Sequence, residues 1–267
     1  MTSRPWVLVV GAAAIAVVGG LIGGLIVWAT TDTSSDASVC TATSVASRTL
    51  PSIVTISAQG PTGAGTGSGE IIRSDGYVLT NNHVISVAAN GGTLTAQFDD
   101  GKTTPATLVG RDPATDLAVL KIDNTDHVPP IAIGSSQTVR VGQPVVALGA
   151  PLGLSSTVTV GIISALDRNV QVPADSGQTA LLVGALQTDA SINPGNSGGA
   201  LVDCRGHLIG VNSAGATVPN AAGQPSAGSV GLNFAIPVDL ATMVADELIK
   251  SGSVTHAYHG LQAVPLP

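Results

Sequence analysis

Charge is scarce in this chain. Asp, Glu, Lys and Arg make up 10% of its 267 residues, and their balance is −7. A nucleic-acid partner demands a basic footprint, so that class is excluded. Aromatic residues are scarcer still, at 2%. A core must therefore be built from Val, Ile, Leu and Ala and held by dense packing rather than by large rings. Cysteine occurs only at Cys40 and Cys204. No internal repeat and no phosphate-binding glycine loop is present. Convincing helical spacing occurs late and once, at Val238, Leu240, Met243, Val244 and Leu248, between Pro237 and Gly252.

Length and apolarity are concentrated at the N-terminus. From Pro5 to Thr31 there is no charge, and Trp6 and Trp28 bracket the run. The span between them is about 33 Å as a helix, close to a bilayer hydrocarbon core, with tryptophans suited to both interfaces. Residues 1–31 read as a cytoplasmic N-terminus and an uncleaved transmembrane anchor in the lipid bilayer through residues 6–28. A cleaved signal peptide is the competing reading. Arg4 before the run, and Asp32 and Asp36 after it, leave the remainder outside. The expected localisation is the cell membrane, single-pass, with an extracytoplasmic domain. In an oxidising compartment Cys40 and Cys204 are expected to form a disulfide, against the alternative of two buried thiols.

Residues 32–47 read as a Ser/Thr-rich tether. Short β-rich runs then recur between glycine turns, as in Ile71-Ile72-Arg73, Ser74-Asp75-Gly76, Tyr77-Val78-Leu79-Thr80. Many short strands at this spacing indicate sandwiches or barrels. The expected fold is all-β: two six-stranded antiparallel barrels over 48–130 and 131–236, then a helix over 237–252 and a tail over 253–267. The run from Ala216 to Ser229 reads as a surface loop.

The segment Asn193-Pro194-Gly195-Asn196-Ser197-Gly198-Gly199 places a serine on a glycine-rich bend. Such a bend can expose the hydroxyl and aim successive N–H groups at one point, the minimum equipment for acyl transfer. The same residues fit the elbow of a different hydrolase fold, and an inert hairpin. A serine nucleophile also needs a base and a group that orients it. His83 stands where the strand Tyr77–Thr80 gives way to Asn81-Asn82, and Asp116 precedes the apolar run Leu117–Leu120. Asp112, before Pro113, reads as a turn cap. The order His83, Asp116, Ser197, with strand–turn–strand after the serine, excludes the elbow, which runs Ser, Asp, His into a helix. It matches the double-barrel arrangement.

These residues carry a family resemblance. Gly67-Ser68-Gly69, Asp75 to Val84, Asp112 to Ile122, Gly149 to Leu154, Thr157 to Ala165, Gln187 to Leu201 and Gly231 to Pro237 resemble the HtrA/DegP family of trypsin-like serine proteases, in order over about residues 48–250. The resemblance implies a membrane-anchored extracytoplasmic serine endopeptidase acting on unfolded or damaged proteins in envelope quality control. Its catalytic residues would be His83, Asp116 and Ser197, and its oxyanion hole Gly195, Asn196 and Ser197. Ser191, Ile192, Asn212, Ser213, Ala214 and Asn233 would bind substrate in a small apolar pocket, with Val, Ile, Ala or Leu before the cleaved bond. Asp189 reads as structural. The stretch Tyr258 to Val264 resembles the first strand of a PDZ domain. An oligomer is compatible with the family, but Val39 to Ile53 lacks the aromatics that family trimers often use. His127 and His207 read as surface turn residues. His256 and His259 lack further ligands, so no metal and no cofactor is expected. A membrane-tethered binding or chaperone module, using the same groove without turnover, is the second class of function.

Overall fold

A computed structural model describes residues 40–123, 125, 128–150, 157–173, 179–215 and 229–256. The anchor over 6–28, most of the tether, His127, the loop from Ala216, His259 and the PDZ-like stretch lie outside the described residues. Helix α1 (Ala42–Thr49) leads into β1 (Ile53–Gly60), β2 (Gly63–Ile71) and β3 (Tyr77–Asn81). A single helical turn α2 (Asn82–Ile85) precedes β4 (Thr93–Gln97), β5 (Thr103–Asp112) and β6 (Leu117–Ile122). The second group is β7 (Pro144–Gly149), β8 (Thr157–Pro173), β9 (Thr179–Thr188), β10 (Ala200–Val202), β11 (Leu208–Gly215) and β12 (Asn233–Pro237). Helix α3 (Val238–Ser251) closes the described chain.

Glycine turns set the hairpins. Gly76 has φ +93°, and a Cβ there would run into the Ile122 carbonyl, so only glycine fits this turn. The first six strands close as a barrel in the order β1-β2-β3-β6-β5-β4. Its core is aliphatic with one ring, including Val54, Ile56, Ile71, Val78, Ile85, Phe98, Leu120 and Ile122. The second six run β10-β11-β12-β9-β8-β7, with β7 also pairing β10. Val145, Ala147, Ile163, Leu186, Leu201 and Ile209 pack inside that sheet.

The second six therefore also close as a barrel, but the two barrels are not a matched pair. Strand β8 runs for 17 residues and shifts register against β9 three times. The far end of this ribbon, Val172 with Ala180 and Leu182, shares a cluster with Val244 and Leu248 of α3 and with Leu79, Leu117 and Val119 of the barrel. Among the described residues no helix is long and apolar enough to cross a membrane. The tether expected over 32–47 also needs correction at its end, because α1 begins at Ala42 and buries Val45 and Thr49. Helix α3 follows its expected spacing and stops at Gly252, in a left-handed φ of +76°. Met243 departs from that pattern and is 64% exposed.

Cys40 and Cys204 form the expected disulfide, 164 residues apart in sequence. A loop of that length corresponds to about 5 kcal/mol in the chain-entropy account. It ties Cys40, two residues ahead of α1, to the turn after β10.

Glu70 is the anomaly in this packing. It lies on β2, fully buried, with both carboxylate oxygens lacking a hydrogen-bond partner. Burial pushes its pKa well above the ordinary carboxylate value. The sign follows from linkage. The native state favours the protonated form, so this contribution is complete below the unfolded pKa and is lost as pH rises through the folded one. Stability should fall with rising pH by at most about 1.4 kcal/mol per pH unit in that window. Glu70→Gln should flatten that slope in urea titrations and raise stability at the alkaline end. An unchanged pH profile in the variant would contradict the assignment.

Candidate active site

The first barrel presents His83 and Asp116 on one rim. Strand β3 ends at Asn81, and the turn α2 lifts the half-buried His83 from the barrel. Asp116 stands just before β6 in the left-handed region, φ +58°, which Asp tolerates better than most residues. Two asparagines hold it there. The Asn81 side-chain amide and the Asn82 N–H both donate to the Asp116 carbonyl, at 2.9 Å and 3.1 Å. The carboxylate, 2% exposed, then faces His83 Nδ1 with both oxygens, at 3.0 Å and 2.9 Å. It also accepts the His83 backbone N–H at 3.0 Å and the Ser213 hydroxyl at 2.8 Å. A buried carboxylate held by several donors fixes the imidazole's orientation.

The second sheet presents Ser197. Asn193, Pro194, Gly195 and Asn196 form a tight turn in which the Asn196 N–H donates to the Asn193 carbonyl at 2.9 Å. Pro194 presets the second position, and Gly195 supplies φ +101° at the third. The N–H of Gly198 donates to the Asn212 carbonyl at 2.7 Å, and that of Asn212 to the Gly199 carbonyl at 2.8 Å, anchoring the far side of the bend to β11. Among the described residues, no hydrogen bond uses the N–H of Gly195 or Ser197. Ser197 Oγ donates to the Ser213 carbonyl at 3.1 Å, and no hydrogen bond joins it to His83. The serine, the carboxylate and the imidazole are thus linked through Ser213, whose carbonyl meets Ser197 and whose hydroxyl meets Asp116. Proximity is independently marked at Gly67, where a Cβ would stand 2.5 Å from Val84 Cγ2 and 2.8 Å from the Ser197 carbonyl oxygen.

The residues expected to bind substrate have these surroundings. Ser213 orients Asp116, a role that sequence reasoning missed. Asn212 is fully buried and donates to the Leu148 and Ala200 carbonyls at 3.2 Å and 3.0 Å. Asn233 is fully buried and donates to the Ala190 carbonyl at 2.9 Å. Ile192 packs in the second sheet's core. The Ser191 carbonyl accepts the Thr159 hydroxyl at 2.9 Å. Ala214 lies on β11, paired with Phe234. Asn196 is fully buried and lines the turn, its amide directed at the Ser191 carbonyl at 3.4 Å.

The other singled-out residues serve local structure. Asp189 accepts the Ile162 N–H at 2.7 Å. Asp112 caps its turn through the Ala114 N–H and the Thr115 hydroxyl, at 3.2 Å and 2.6 Å. It also meets His256 Nε2 at 2.8 Å, which binds the start of the tail to the first barrel. His207 sits in the Asp203 turn, donating its N–H to Asp203 at 2.9 Å.

Comparison with known proteins agrees with this geometry. The model of the trypsin-like peptidase domain matches residues 67–211. The serine protease PepD of Mycobacterium tuberculosis is 46% identical over 224 residues, 82% of this chain and 48% of that protein. A probable periplasmic serine endoprotease, DegP-like, of Halomonas elongata is 44% identical over 75% of this chain and 38% of its own length. The chain thus spans about half the length, or less, of these curated relatives. The solved structure of the HtrA-type protease AlgW with a decapeptide superimposes with a TM-score of 0.69 at 35% identity, covering 85% of this chain and 73% of that one. The single-pass membrane localisation is corrected by the same comparisons. The DegP-like relatives are named periplasmic. The matched segment contains His83, Asp116 and Ser197, and the fold, the rim geometry and the identities agree: this chain belongs to the trypsin-like peptidase family, as an HtrA/DegP-type serine protease domain.

Proposed function

We propose that this domain is a serine endopeptidase that hydrolyses peptide bonds of unfolded polypeptides outside the cytoplasm. The observation that carries the reading is the buried Asp116 carboxylate, closed on His83 Nδ1 and buttressed by the Ser213 hydroxyl. Holding the proton on Nδ1 leaves Nε2 as a base. Rotation of the Ser197 side chain away from the Ser213 carbonyl brings its hydroxyl to that base. His83 then takes the proton as Oγ bonds to the substrate carbonyl carbon, and later gives it to the departing amine. Asp116 stabilises the imidazolium between the two transfers. The N–H groups of Gly195 and Ser197, without partners among the described residues, receive the oxyanion, each typically contributing about 3–4 kcal/mol to the transition state. Water repeats the sequence on the acyl-enzyme.

Substrate choice follows from what the site leaves free. Ala214 and Gly215 pair with Phe234 and Asn233 of β12 on one side, so their other edge suits an added substrate strand. An unfolded chain supplies such a strand, because its backbone has no partners of its own. The Cys40–Cys204 bridge supports an oxidising compartment. No acidic residue stands at Ser191, and Ile192 is apolar. Mass-spectrometric mapping of cleavage in reduced, carboxymethylated casein should therefore show Val, Ile, Ala or Leu before most scissile bonds. Dominant cleavage after Lys or Arg would contradict this specificity.

A further inference from the structure

We propose that Ser68 is a positioning residue for the oxyanion loop, holding the turn at Gly195 from across the seam between the sheets. The inference rests on Ser197 being the nucleophile. Ser68 lies on β2 and is fully buried. Its hydroxyl has one proton to donate and lone pairs to accept, and both capacities are used. It donates to the Gly195 carbonyl at 2.6 Å and accepts the Ala150 N–H at 2.8 Å. The backbone of Ser68 is held as well, its N–H on the Ser197 carbonyl at 2.8 Å and its carbonyl under the Thr80 hydroxyl at 2.6 Å.

Glycines allow this approach. A Cβ at Gly149 would stand 2.6 Å from Asn196 Oδ1 and 3.0 Å from Ser68 Oγ. At Gly198 it would run into the Ser68 carbonyl. The peptide between Gly195 and Asn196 is then gripped at both ends, its carbonyl by Ser68 and its N–H by the Asn193 carbonyl at 2.9 Å. With that plane fixed and Gly195 at φ +101°, the Gly195 N–H keeps one direction. The chain Ala150 N–H to Ser68 hydroxyl to Gly195 carbonyl also couples Ala150, just after the end of β7, to the loop, each bond polarising the next. Without the hydroxyl, a buried acceptor and a buried donor lose their partner together, and the peptides flanking Gly195 are freed to rotate.

Steady-state hydrolysis of a chromogenic peptide separates positioning from general support. Ser68→Ala should lower kcat about 10- to 100-fold, short of the loss from deleting an oxyanion donor, with KM within about threefold of wild type. The rate of Ser197 labelling by a fluorophosphonate should fall in parallel. Ser52→Ala is the control, because it removes a comparable buried hydroxyl, bonded to the Pro129 carbonyl at 2.8 Å, away from the loop. It should keep wild-type kcat at a similar thermal midpoint. If Ser68→Ala does not fold, Ser68→Cys takes its place, with an intermediate kcat expected from its weaker donor. Wild-type kcat in a folded Ser68 variant overturns the proposal, and so does an equal loss in Ser52→Ala. Wild-type protein that never labels at Ser197 sinks the acyl-enzyme reading itself, a different result from normal wild-type labelling with an equally reactive Ser68→Ala.

Discussion

Ser197→Ala is expected to lower kcat/KM for peptide hydrolysis by about four to six orders of magnitude, measured against a chromogenic peptide. The loss is large because no other group can form the covalent bond. What remains is catalysis by the N–H groups of the loop and by binding. The fold should survive. The Ser197 hydroxyl makes one half-buried hydrogen bond, to the Ser213 carbonyl, and a bond of that kind contributes about 1 kcal/mol. The loop itself is held by the backbone contacts of Ser68, Gly198 and Asn212, which the substitution leaves in place. Retained hydrolysis at more than about a hundredth of the wild-type rate would place the chemistry elsewhere.

Asp116→Asn is expected to cost about 10⁴-fold in kcat with little change in stability. The substitution keeps shape, and Asn tolerates the left-handed backbone that position 116 requires. The chemistry of the second oxygen changes. Asp116 offers acceptors to the His83 N–H, His83 Nδ1 and the Ser213 hydroxyl at once. An amide offers one oxygen and two donors. Directed at Nδ1, the amide N–H forces the proton onto Nε2, where a base is needed. The loss should therefore appear in kcat at neutral pH and shrink at high pH, where hydroxide substitutes for the missing base. A variant with near-wild-type kcat at pH 7 would show that Asp116 is only a structural anchor.

The site was legible in the sequence where local chemistry marks it. Glycines at 195, 198 and 199 announce a bend that side chains would obstruct, and the strand ends at Asn81 and Leu117 place His83 and Asp116 on a rim. Strand periodicity gave twelve strands in outline, and Pro237 with Gly252 bounded α3 closely. The contacts that finish the site carry no such signal. Ser213 reaches Asp116 over 97 positions, Ser68 reaches Gly195 over 127, and His256 reaches Asp112 over 144. Nothing periodic encodes those meetings, because each depends on two sheets closing first. Asn212 and Asn233 are a related case, because burial turns their amides onto the Ala200 and Ala190 carbonyls, contacts that no local pattern encodes. The continuation of β8 through Asp167-Arg168-Asn169 was hidden for a local reason, since such a polar run with Asp167 at φ +55° reads as a turn.

The central claim is that one hydroxyl, at Ser197, is made nucleophilic by His83 and Asp116. Treatment of the native protein with a fluorophosphonate, followed by peptide mapping, tests it most directly. A single adduct on the peptide carrying Ser197, at one equivalent per chain, is the result this account predicts. A native protein that stays unmodified while a reference serine protease labels fully, or an adduct confined to another serine, would contradict it.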